Sequence, residues 1–153
     1  MLTGLALTLH LLGAVIWVGG MFFAHMALRP VAAATLEPPQ RLTLLAGVFS
    51  RFFPWVWASI VLILSTGLYL VGLLGGFGGV AVNIHIMTGL GIIMMLIYCF
   101  IYFVPYQRLK AGVNEQNWKA AGGALAVIRP LIAVNLSLGL AIVAIARWGA
   151  VFG

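Results

Sequence analysis

"FFPWVWASIVLILSTGLYLVGLLGGFGGVAVNIHIMTGLGIIMMLIYCFIYFVPYQ", residues 52–107, holds no Asp, Glu, Lys or Arg. A run of this length accommodates two membrane crossings of about 20 residues each. Its centre, "GLLGGFGGV" from Gly72 to Val80, carries five glycines and makes a poor helix interior, so it reads as the turn between two spans. A second uncharged run extends from Leu2 to Leu28. It lacks a basic n-region and is too long for the apolar core of a signal peptide, so it reads as a retained span. A last apolar run starts near Arg129-Pro130 and reaches about Trp148, with Pro130 tolerated near a helix start or as a kink. The expected fold is therefore all-α, one transmembrane domain covering 1–153, built as a four-helix bundle with spans at roughly 2–28, 53–74, 81–104 and 124–149.

The composition agrees with this. Of 153 residues, 64 % are hydrophobic and only 7 % are charged, against about 25 % charged in soluble domains. One cysteine, Cys99, excludes an internal disulfide. The net charge of +6 does not indicate a nucleic-acid partner, because the basic residues lie between apolar spans rather than in one patch.

Two connections are longer than the glycine turn. Residues 37–54 place Pro38 and Pro39 at a helix start, and Leu42, Leu45, Ala46 and Phe49 then recur at helical spacing. That pattern predicts a short amphipathic helix on the membrane surface near 38–50. In "NEQNWKAAGGALAVIRP", residues 114–130, Asn114 is the candidate N-cap, with Glu115 in the first turn of a helix running into the last span. Arg29, Arg41 and Arg51 fall in the first connection, and Arg108, Lys110, Lys119 and Arg129 in the third. The glycine turn has no basic residue, and Arg147 stands alone near the C-terminus. The positive-inside rule then puts connections one and three in the cytoplasm and both termini outside, in a multi-pass protein of a bacterial inner membrane. Trp55, Trp57, Tyr102, Tyr106, Trp118 and Trp148 fall near the expected interfaces.

Ionisable groups at membrane depth mark function by default. Three histidines qualify: His10 and His25 in the first span and His85 in the third. Spans one and three run in the same direction, and His10 and His85 differ in depth by only about 6 Å at a rise of about 1.5 Å per residue. Two imidazoles at one level predict axial ligands of a haem b, a group that bundle interiors hold well. Gly13 and Ala14 share a face with His10, and Thr88 and Gly89 share one with His85, offering flat space for a porphyrin. The plainer reading of the same residues is close helix approach, with both histidines hydrogen-bonded between helices. His25 lies about 22 Å further along. It serves a second haem, a propionate or a proton relay beside Arg29, or it is an interfacial hydrogen-bonding group.

Other polar groups carry less. Asn135 and Ser137, and Ser59, Ser65 and Thr66, read as contacts between helices. Asn83 reads as a cap or loop residue. Tyr98, Tyr102 and Tyr106 form one aromatic stripe, read as packing. Arg29, Arg51, Arg108 and Arg129 flank spans, where they orient the chain and meet lipid headgroups or another anion.

"HLLGAVIWVGGMFFAHMALRP" resembles the first helix of the CopD-like membrane proteins, whose pattern is a histidine, then Trp-x-Gly-Gly, then Arg-Pro. The matching positions are His10, Trp17, Gly19, Gly20, Arg29 and Pro30. "NIHIMTGLGIIMMLIY" and "IRPLIAVNLSLGL" are similar to segments of small stand-alone members. The resemblance extends to HemJ-type protoporphyrinogen oxidases, in which a first-helix histidine serves a haem b, and this implies His10 as the axial ligand. Those proteins also carry an essential lysine in the third helix, and the third span here has none.

Three functions follow from these residues. The first is a small cytochrome b passing electrons between a quinol and an acceptor at the outer face, with one haem and room for a second. The second is copper transport or resistance, which the CopD resemblance implies. Cu(I) takes soft thiolate and thioether ligands, and Met21, Met26, Met87, Met94, Met95 and Cys99 accompany the histidines. The third is a protoporphyrinogen oxidase-like activity, which the HemJ-type resemblance implies and the missing lysine disfavours; a structural subunit without a cofactor is the plainer alternative. Glycine-rich helix faces also suit a homo-oligomer.

Overall fold

The computed structural model describes residues 1–152, with side chains through 149. All regular structure in the described residues is helical. It runs as α1 (Leu2–Phe23), a single wide π-helical turn (Ala24–Leu28), α2 (Arg29–Thr35), α3 (Pro38–Leu73), α4 (Val82–Phe103), α5 (Pro105–Asn114) and α6 (Trp118–Phe152). Four stretches are long and apolar enough to cross a membrane: Leu2–Thr35, Pro38–Leu73, Val82–Asn114 and Trp118–Gly149. The expected all-α membrane protein with four spanning helices is what the chain forms.

The helices are longer than the expected spans. The 36 residues of α3 extend about 54 Å, against a hydrocarbon core of about 30 Å. Charged residues crowd one end of this length. Arg41 and Arg51 fall in the first 14 residues of α3, and Lys119 and Arg129 in the first 12 of α6. That end therefore projects beyond the apolar zone with its helices still packed.

This projection explains why residues 38–50 do not form a separate surface helix. They are the opening turns of α3, entered through an extended Glu37 with Pro38 at the first helical position. Leu42, Leu45, Ala46 and Phe49 recur at helical spacing as expected, but their face is buried by protein rather than lipid. Leu109 of α5 and Ala121 and Ile128 of α6, all 0 % exposed, belong to the same core. Asn114 is not an N-cap either. It ends α5, and Asn117 accepts from the Ala120 N–H at 3.1 Å to cap α6. Gln116 between them has φ 54°, the left-handed turn that commonly closes a helix.

α1 packs along α3, and α4 and α5 pack along α6, which also touches α1 and α3. Aromatic rings fill the space between α3 and α4. The Phe53 ring meets those of Tyr98 and Tyr106 edge to face, and Trp57 meets Tyr98 and Tyr102 in the same way. The Tyr98–Tyr102–Tyr106 stripe is thus packed against α3, and Tyr106 is buried within the protein. Trp55, in contrast, is exposed among the lipid-facing side chains, as are Leu11, Val15, Ile93 and Leu96. The turn after α3 uses Gly75 and Gly76 at φ 90° and 80°, a region that glycine enters without steric cost.

Candidate functional site

α1 carries most of the candidate ligands, and its inward face is set by close packing on α3. A Cβ at Gly13 would meet Ile63 Cγ1 at 3.0 Å and the Ser59 carbonyl at 3.3 Å. One at Gly20 would overlap the Phe52 ring. The small residues beside His10 thus admit another helix. Trp17 is 3 % exposed and meets Tyr98 edge to face. Its indole is core, and Ala14 is only partly covered.

His10 is half-buried, with Nδ1 3.0 Å from Thr66 Oγ1. The Thr66 hydroxyl donates to the Leu62 carbonyl one turn back. A hydroxyl has a single proton, so here it can only accept from the ring. In the neutral ring Nδ1 then carries the proton and Nε2 keeps its lone pair. This is the arrangement seen in metal-ligating histidines, where a bond at the far nitrogen fixes the tautomer.

His85 sits elsewhere. It is exposed near the start of α4, its ring 5.9 Å from that of Phe77 in the glycine turn. Gly89, one turn on, faces open space, and Thr88 Oγ donates to the Ile84 carbonyl at 2.8 Å. α1 and α4 do not run along one another. The structure brings His10 together with α3 and His85 with the glycine turn. Ile63 occupies the floor beside His10 at Gly13, whereas the floor beside His85 at Gly89 opens outward.

Further along α1 the inward face continues. At 100° per residue, Met21 lies about 20° around from His10 and His25 about 60°. The rises are about 16 and 22 Å. Met21 is 5 % exposed and lines a small internal cavity with Trp17, Tyr98 and Asn135. Asn135 is 1 % exposed; its Nδ2 donates to the Met94 carbonyl at 3.3 Å, while its buried Oδ1 has no hydrogen-bond partner. The expected role of Asn135 as a contact between helices describes its amide nitrogen and leaves the oxygen unexplained. Met94 is 2 % exposed in the same core.

His25 occupies the π-helical turn. Pro30 lacks the N–H that would bond the carbonyl four residues back, and its ring crowds that carbonyl. A widened turn relieves this, and such turns recur at functional sites. His25, Arg29 and Arg129 line a second small cavity. Among the described residues, no three His, Cys, Asp or Glu side chains converge as metal ligands. The cavity beside Met21 offers a thioether and an amide instead.

Sequence reasoning passed over two features. Thr66 as the partner of His10 lies 56 positions away, and only the pairing of α1 with α3 reveals it. The orphaned Asn135 oxygen depends on rotamer and packing, which no spacing rule encodes.

The family described as copper resistance protein D (CopD) matches residues 46–148. No curated protein and no solved structure matches the chain.

Proposed function

Because the chain belongs to the copper resistance protein D family, we propose that it handles copper within the membrane, passing Cu(I) along the inward face of α1. The supporting observation is the series His10, Met21 and His25 on that face, with Met21 sharing a cavity with the unpartnered Asn135 oxygen. Cu(I) prefers thioether and imidazole donors to carboxylates, and the described spans offer no carboxylate in competition. Buried Met21 and Met94 would supply soft ligands at the centre. His10 Nε2 would receive the ion at one end, and His25 would release it at the other. Individually weak sites suit transit, which requires that binding permit departure.

The positive-inside rule gives the direction: His10 toward the outer face and His25 toward the cytoplasm. The test is copper content in cells expressing wild type or Met21→Leu, with expression matched. A copper-dependent difference from empty-vector cells that disappears in the variant supports the reading. Identical copper content and tolerance in all three strains would remove it. A Soret band in purified wild type that vanishes in His10→Ala would instead assign the ring to haem.

A further inference from the structure

A cavity of about 390 Å³ opens where α1 passes into α2, walled by the first turns of α3 and α6. Arg29, Arg41 and Arg129 all line it, and no Asp or Glu does. The chain has only two carboxylates, Glu37 and Glu115. Glu37 stands one turn before Arg41, outside the lining. Three guanidiniums around one cavity repel one another unless an anion joins them.

Arg29 adds a second, independent observation. Its Nε is buried and has no hydrogen-bond partner. A buried donor of a charged group left unpaired is costly. Arginine recognises phosphate through paired N–H donors, so a phosphate oxygen in the cavity would satisfy that nitrogen.

The remaining wall fits an amphiphile. Leu42, Leu45 and Leu125 are each 7 % exposed or less and line one side of the cavity, and the partly buried Trp118 lines another. The volume lies in the range of small-ligand sites. Arg129 stands at the edge of the uncharged stretch of α6, and basic residues flanking a span meet acidic lipid headgroups.

We infer that the cavity among Arg29, Arg41 and Arg129 binds a phosphate-bearing anion, either the headgroup of an acidic phospholipid or a soluble phosphate. It lies at the basic end of the bundle, next to the smaller cavity of His25.

The test uses the full chain in detergent and in nanodiscs. Retained lipid is read by native mass spectrometry after exchange into mixtures of diphosphatidylglycerol and phosphatidylcholine. Inorganic phosphate binding is read separately by calorimetry in detergent. Arg41→Gln and Arg129→Gln remove charge outside the buried core, and Arg147→Gln at the opposite end is the control. Lipid as the source predicts selective retention of diphosphatidylglycerol, reduced at least tenfold by either cavity variant and unchanged in the control. A soluble source predicts saturable phosphate binding with the same variant pattern and no lipid preference. Equal retention of both lipids together with no phosphate binding overturns the inference. So does binding that neither cavity variant alters.

Discussion

His10 Nδ1 on α1 and Thr66 Oγ1 on α3 are 3.0 Å apart across the most extensive helix pairing of the bundle. Because the Thr66 proton goes to Leu62, the pair fixes which imidazole nitrogen stays free. Thr66→Val keeps the shape and removes the acceptor. It is expected to lower stability by about 1 kcal/mol and to weaken copper binding at His10 by about 10–100-fold. Nitrogen chemical shifts of the labelled imidazole report the loss of tautomer control directly, as a change from one tautomer to a mixture. Thermal unfolding reports the stability change, and chelator competition the affinity. A ring whose tautomer is the same in both proteins would refute the assignment.

Met21 and Met94 are the buried thioethers of the central core. Leucine has nearly the same volume, so Met21→Leu with Met94→Leu is expected to cost less than about 1.5 kcal/mol. Cu(I) affinity should nevertheless fall by more than tenfold, measured by competition with a chromogenic chelator. Asn135→Leu, which removes both the orphaned oxygen and its partnered nitrogen, should weaken binding without unfolding the chain. If Cu(I) affinity survives all three changes, these core residues are packing alone.

The spans were legible in the sequence because uncharged runs such as 52–107 leave few alternatives in a bilayer. The helix ends were not. Residues 38–50 have the pattern of a surface helix, and only the facing residues of α5 and α6 decide that protein rather than lipid buries Leu42 and Phe49. The histidines show the same division. Their rarity marks them from spacing, while their partners depend on which helices pair. Equal depth suggested that His10 and His85 meet, but depth fixes only one of three coordinates. Lateral order around the bundle pairs α1 with α3 instead.

Charge distribution predicts that residues 37–51 and 108–129 face the cytoplasm and the glycine turn faces outward. In a Cys99→Ser background, Phe77→Cys should react with a membrane-impermeant maleimide added to intact cells. Glu115→Cys should react only after the membrane is opened. The reverse pattern inverts the orientation and the direction of copper passage with it.

Phe53 is 4 % exposed and touches the rings of Phe49, Tyr98, Tyr102 and Tyr106, while its carbonyl accepts from Tyr98 Oη at 3.1 Å. Truncation to alanine empties the centre of this cluster, and a loss of about 3 kcal/mol is expected. Tyr98→Phe removes only the hydroxyl and should cost about 1 kcal/mol. Thermal unfolding in detergent separates the two, with Phe53→Ala the larger effect.

Glycine tolerance distinguishes close approach from open surface. A Cβ at Gly112 would lie 2.8 Å from the Ala121 backbone nitrogen and 2.9 Å from Ala121 Cβ. Neither atom belongs to a flexible side chain, so α5 and α6 must separate. Gly112→Ala is therefore expected to destabilise by about 1–3 kcal/mol. Gly47, inside α3, has nothing within 4 Å of its would-be Cβ. Gly47→Ala gains helix propensity and should stabilise by about 0.5–1 kcal/mol. The two variants carry the same chemical change on neighbouring helices, and their melting midpoints should move in opposite directions. Equal shifts would mean that α5 and α6 are not in contact at Gly112, and that the projecting core around Leu109 and Ile128 is looser than the packing described.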